Sequence, residues 1–158
     1  MSFTYSLLPN TTAVMRSDGA VIPSDPRNAD WQDYQAWLGV GNVATPVPPP
    51  TLSQQAIAML ASGVQLTSTS TPALNGTYGC DPTSQSIVQS EIIALLLNAK
   101  FTNGNAAFAH FDKSGGQHSF SATQFKAFAT AIAQFIGTLL PIVATNSGTL
   151  PTPSITIA

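Results

Sequence analysis

His110, Asp112 and His118 are the only side chains in this 158-residue chain grouped as metal or acid–base chemistry requires. A His-x-Asp pair with a second His across a turn makes a site only if one face of a hairpin carries all three, because strand side chains alternate. The surrounding residues predict that hairpin: Ala106–Asp112 and Gln117–Phe120 flank Lys113-Ser114-Gly115-Gly116. With a four-residue loop, Asp112 pairs with Gln117, His118 opposes Phe111, and His118 faces away from the other two. With a three-residue loop and a glycine bulge, Asp112 opposes His118 and all three share a face. Even then the group lacks a clear fourth ligand, so structural or solvated residues are the default. No catalytic residue, metal or cofactor is assigned. His110 and His118 are carried forward, with Tyr78, as candidate ligand contacts.

Cys80 stands alone, so no intramolecular disulfide can form. Its place at a helix start favours a thiolate, the adjacent Asp81 opposes one, and a small semi-buried residue is the reading. Trp31, Tyr34 and Leu38 lie at helical spacing with Trp37 beside them. These four are the candidate protein interface, since Trp and Tyr anchor interfaces. Packing or assembly is preferred over stacking on sugar rings. The Ser/Thr run Thr67–Thr71 could line a polar groove, but exposed strands look the same. Glu91 and Asp112 are the only carboxylates beyond Asp81 in that part of the chain, and their spacing does not pair them for glycoside hydrolysis.

The elements that must position these residues are legible from turn and cap signals. Asp18-Gly19 predicts a hairpin between Ala13–Arg16 and Ala20–Ile22, after which Pro23 and Pro26 end strand character. A short helix follows, capped by Asp30 or Asn28 and stopped by Gly39 or Gly41. It is marginal alone and must dock its aromatic face somewhere. Residues 45–50, TPVPPP, form a stiff linker. Thr51 and Gln54 open a helix as a capping box, and Gly63 lies past its end. Val64–Thr71 suits a strand closed by Pro72, and Asn75-Gly76 turns the chain into a second strand at Thr77–Cys80. Asp81-Pro82 starts a helix running to about Ala99, with Ile87, Val88 and Ile92–Leu97 largely buried. Ser121 and Gln124 form a second capping box, Phe120 and Phe125 a hydrophobic staple, and Pro141 ends the last helix. The fold class is α+β: two β-hairpins on about three helices, with an N-terminal hairpin-plus-short-helix segment joined by the Pro-rich linker. The domain reading is 1–44, linker 45–50, 51–143, and an extended tail 144–158 that is either simply extended or ordered only by a partner.

Only 8% of residues are charged and the net charge is −2. No Lys/Arg cluster exists to neutralise phosphates, which argues against nucleic-acid binding. A surface of Ser, Thr, Asn, Gln and Ala is weakly self-repelling and tolerates burial against a neighbour. MSFTYSLLPN has neither a basic nor an apolar leader region, so no secretory signal is expected. The apolar segment Ala127–Val143 is interrupted by Gln134, Gly137 and Pro141 and reads as amphipathic, without membrane insertion.

Two patches carry a family resemblance. D30-W-Q-D-Y-Q-A-W-L-G-V-G-N42, preceded by D18-G-A-V-I-P23, resembles a segment recurrent in bacteriophage tail-fibre and tail-assembly proteins. T67-S-T-S-T-P-A-L-N-G-T-Y78, F108-A-H-F-D-K-S-G-G-Q-H-S-F120 and A122-T-Q-F-K-A-F128 resemble a small domain of unassigned activity carried on such proteins. The resemblance covers most of residues 13–140. It implies a non-enzymatic structural component of a phage or phage-like tail, made in the host cytoplasm and located in the virion. The implied partners are other tail proteins and further copies of the chain, a trimer being common among fibres. Two alternatives stay open: a receptor- or carbohydrate-binding module contacting host surface glycans, and a tail-fibre assembly factor absent from the virion.

Overall fold

The structure, a computed structural model, describes residues 3–158. Met1 and Ser2, where the segment read for a leader begins, lie outside the described residues. The fold is α+β, in two compact units divided between Pro49 and Pro50, each with its own apolar core.

In the first unit, the Asp18-Gly19 hairpin forms from β2 (Val14–Arg16) and β3 (Val21–Ile22), with Val14 opposite Ile22. Gly19 takes φ +89°, which glycine adopts without strain. A third strand, β1 (Tyr5–Leu7), pairs antiparallel with β2, beyond the hairpin that Asp18-Gly19 predicts. Of the two cap candidates for α1 (Ala29–Gly39), Asn28 caps, accepting from the Trp31 N–H at 3.3 Å. Asp30 is thereby left to the Arg16 guanidinium, which it meets at 2.6 Å.

The aromatic face of α1 packs on this unit's own sheet. Tyr34 is buried with Tyr5, Val14, Ile22 and Ala44, and Trp31, Trp37 and Leu38 close around them. The Tyr5 ring lies 4.9 Å from Tyr34 and 5.0 Å from Trp37. The candidate interface is therefore mostly internal packing: Tyr34 is unavailable to a neighbour, and Trp31, Trp37 and Leu38 show only their outer parts.

The second unit opens with α2 (Leu52–Ser62), whose Thr51/Gln54 capping box is formed, and Gly63 at φ +84° follows it. β4 (Val64–Ser68) then buries Val64, Leu66 and Ser68 alternately. Here the sequence expectation is corrected. Asn75-Gly76 is not a two-residue turn. The chain passes through a 3₁₀ turn at Pro72–Leu74, and Gly76 opens β5 (Gly76–Tyr78), opposite Leu66. The Asn75 side chain closes this connection by accepting from the Ser68 N–H at 2.7 Å.

α3 (Pro82–Asn98) starts as its signals predict, the Asp81 carboxylate accepting from the Thr83 and Ser84 N–H groups. Its apolar run, however, is not largely buried. Val88 and Leu95 are, while Ile87, Ile93, Leu96 and Leu97 remain 41–77% exposed. One helix side faces the core, so a run of six successive positions cannot all turn inward. β6 (Ala107–Phe111) and β7 (Gln117–Ser121) form the second hairpin, leading into α4 (Ala122–Thr145). The Ser121/Gln124 box is present, and Phe120 and Phe125 meet edge-to-face at 5.8 Å.

Pro141 does not end α4. It sits on the exposed side, where its missing N–H costs one solvent-facing bond, and the helix continues to Asn146 in the left-handed conformation. α4 is long and apolar enough to cross a membrane by length and composition alone, but its stripe from Phe125 to Ile142 forms the centre of this unit's core. The C-terminal residues are likewise neither a free tail nor dependent on a partner. β8 (Ser154–Ile157) pairs parallel with β4, Ile155 opposite Leu66, giving the order β5-β4-β8 and burying Ile155 and Ile157.

Candidate functional site

The β6–β7 register differs from both expected forms. Five residues, Asp112–Gly116, connect strands in which Phe111 opposes Gln117 and His110 opposes His118. Directly opposed residues share a face. The two imidazoles therefore lie side by side, and Asp112 folds back to join them. The Asp112 side chain causes the longer loop: its Oδ1 accepts from the Ser114 N–H at 2.9 Å, the Ser114 hydroxyl at 2.7 Å and the Gly116 N–H at 2.7 Å. Its other oxygen stands 3.2 Å from His118 Nε2. These bonds, the Ser114 hydroxyl foremost, hold the Asp112 carboxyl down to about 2.

His118 reaches further. Its Nδ1 lies 2.7 Å from the Ala73 carbonyl oxygen in the 3₁₀ turn, so one ring joins the hairpin loop to the β4–β5 connection. Both ring nitrogens thus face acceptors, and a neutral imidazole donates to only one of them at a time. Two glycines make room for this pair. A Cβ on Gly76 would lie 2.8 Å from Asp112 Oδ2, and one on Gly116 would lie 3.1 Å from it. Gly76 is therefore needed for close approach, not for a turn.

Tyr78 lies beneath both imidazoles. Its ring stacks on His110 at 5.5 Å with the planes 3° apart and meets His118 at 5.6 Å. Its hydroxyl donates to the Leu74 carbonyl at 2.8 Å, and burial, then the nearby Asp112 charge, push its pKa well above the usual phenol value. Phe120, Phe125 and Phe128 complete the nest around His110. Burial there, followed by the neighbouring His118, lowers the His110 pKa below the ordinary imidazole value. So the three candidate ligand contacts do come together, but as a packed joint. Tyr78 is fully buried and His110 nearly so; neither presents a face to a ligand. Among the described residues, no three His, Cys, Asp or Glu side chains are placed to hold one metal ion.

The remaining candidates are also engaged. Cys80 is buried, and its thiol is pushed up to about 11 by burial and then by Asp81, which is the opposite of an activated nucleophile. Glu91 is a buried carboxylate that accepts from the Thr102 N–H at 2.9 Å and from the Thr102 hydroxyl, fastening the loop after α3. Nothing in the spacing of Glu91 and Thr102 signals this bond. In the Ser/Thr run, Ser68 is buried and its hydroxyl accepts from the Thr71 N–H, closing the bend after β4. Compared with known proteins, the chain matches no protein-family model, no curated protein and no solved structure.

Proposed function

We propose that this protein is a non-enzymatic structural component of a bacteriophage or phage-like tail, acting by protein–protein docking. The observation that carries this reading is the engagement of the reactive side chains. His118, Asp112 and Tyr78 together bond the hairpin loop to the 3₁₀ turn and the core, and so serve shape. The neutral surface, with charge on 8% of residues, supports burial in a permanent assembly. The tail assignment itself rests on the resemblance of the Asp30–Asn42 and Thr67–Phe128 patches. Quantitative proteomics of purified tail-bearing particles from the encoding strain tests it. A fixed stoichiometry relative to known tail proteins is expected. Absence from finished particles would overturn the structural role.

A further inference from the structure

Asn75-Gly76 and Asn103-Gly104 are the two places in the chain where an asparagine is followed by a residue without a Cβ. Such a pair is chemically reactive. With no side chain in the way, the glycine amide nitrogen can attack the asparagine Cγ and close a cyclic imide. The fold treats the two pairs oppositely.

Asn103-Gly104 lies in the loop between α3 and β6, where residues 102–107 are all exposed. Nothing stands within 4 Å of the position a Cβ on Gly104 would take. The Gly104 N–H is held by one turn bond, to the Phe101 carbonyl at 2.8 Å. Opening a single surface turn is among the least costly motions of a folded chain. The electrophile is already polarised: Asn103 Oδ1 accepts from the Asn105 N–H at 2.9 Å, a donor placed where negative charge develops during attack. Asn75 Oδ1 has the same help, from the Ser68 N–H at 2.7 Å. Its nucleophile lacks the same freedom. Gly76 is paired with Leu66 in the β4–β5 ladder, and Asp112 Oδ2 and His118 Nε2 stand 2.8 Å and 3.2 Å from where its Cβ would be. Freeing its amide takes β5 off β4, and with it the fully buried Tyr78, at the cost of much of this unit's stability.

We propose that Asn103 is a self-modifying site, converted to aspartate and isoaspartate in the folded protein, while Asn75 is protected. Base removes the Gly104 amide proton, the nitrogen bonds to Asn103 Cγ, and the Cγ–Nδ2 bond breaks as ammonia leaves. Water then opens the imide at either carbonyl, so the reaction consumes no oxidant and no cofactor. The result is one added negative charge on a chain whose net charge is only −2. The loop gives up little. The contact of Asn103 Nδ2 with the Ala107 carbonyl is long, at 3.4 Å. The loop's anchors, buried Phe101 and the Thr102 N–H bonded to Glu91, precede the altered bond. The site does not rest on the tail assignment and is tested apart from it.

The test is to hold the full chain, folded, in mildly alkaline buffer at body temperature for several weeks. Anion exchange follows the added charge, and peptide mapping by mass spectrometry locates it. Cleavage after Lys100 and Lys113 releases one peptide holding Asn103, and fragmentation separates that residue from Asn105. Asn103 should convert at least about tenfold faster than Asn75. Asn103→Gln should remove the early acidic species, because a glutamine side chain must close a larger, slower-forming ring. In concentrated urea, where sequence alone decides, the two pairs should convert at comparable rates. An intact Asn103 at the end of the incubation would overturn the proposal and show that the Phe101 bond suffices to protect it. Comparable rates in the folded chain would overturn the protection of Asn75. Conversion only in step with loss of the far-UV circular dichroism would overturn the folded-state route.

Discussion

Replacing His118 by alanine is the sharpest test of whether the histidine–aspartate group is a joint. One donated bond disappears, to the Ala73 carbonyl at 2.7 Å or to Asp112 at 3.2 Å according to which nitrogen carries the proton, and with it the other nitrogen's contact. A neutral bond contributes about 1 kcal/mol and one to a charged group about 1.5–3 kcal/mol. Asp112 keeps its bonds from Ser114 and Gly116, so its charge is not orphaned. Losing the ring from its 5.6 Å contact with Tyr78 adds about 1 kcal/mol of packing to that single bond, and a total near 2–4 kcal/mol results. In a domain of about 100 residues that lowers Tm by roughly 10–20 °C. Two isosteres divide the effect. An asparagine amide nitrogen reaches where Nδ1 stands and a glutamine one where Nε2 stands, so His118→Asn and His118→Gln should each recover about half. Urea unfolding followed by far-UV circular dichroism, dominated by α2, α3 and α4, measures it. Trp31 and Trp37 both lie in the first unit, so their fluorescence follows that core separately. A loss for His118→Ala within about 0.5 kcal/mol, the ordinary range for surface changes, would refute the joint. Equal losses for all three variants would assign the effect to packing instead of bonding.

Three further outcomes probe the same unit. Gly76→Ala should cost more than the usual 1 kcal/mol of a point change, because its Cβ would stand 2.8 Å from Asp112 Oδ2; a urea midpoint equal to the parent's would show that the pair can move aside. Ile157→Ala should cost about 2–4 kcal/mol, since β8 is part of the core, and a neutral result would restore the free-tail picture. Stability should fall with acid in two windows. His110 titrates below its usual 6.5 when folded, so the unfolded chain binds that proton first and stability drops as pH falls through 6.5. Asp112, at about 2 against 3.8, repeats the effect between those values. Urea midpoints from pH 8 to 2 measure both steps, and His110→Gln should remove the upper one alone.

What the sequence disclosed and what it withheld divide by the range of the interaction. Both capping boxes, the Asp81 cap and the Asp18-Gly19 hairpin are contacts between residues a few positions apart, and each forms as its local pattern predicts. Helical spacing likewise revealed an aromatic face on α1, but spacing names a face and not its partner; β1 and β2 supply that partner from outside the helix. The parallel pairing of β8 with β4 spans almost the whole second unit and has no local signature at all. The histidine–aspartate group sits between these cases. Its members were recognisable as chemically capable, yet their role depends on the Ala73 carbonyl and the Tyr78 ring, supplied by a distant segment. The register differs from both expected forms because Asp112 gathers three loop donors and so lengthens the turn to five residues. Gly76 departs from the turn role its sequence suggests for a related reason. A glycine before a strand ordinarily signals backbone freedom, and here it signals a neighbour too close for a methyl group. In both cases a side chain from elsewhere in the fold, and not the local backbone preference, decides what the residue is for.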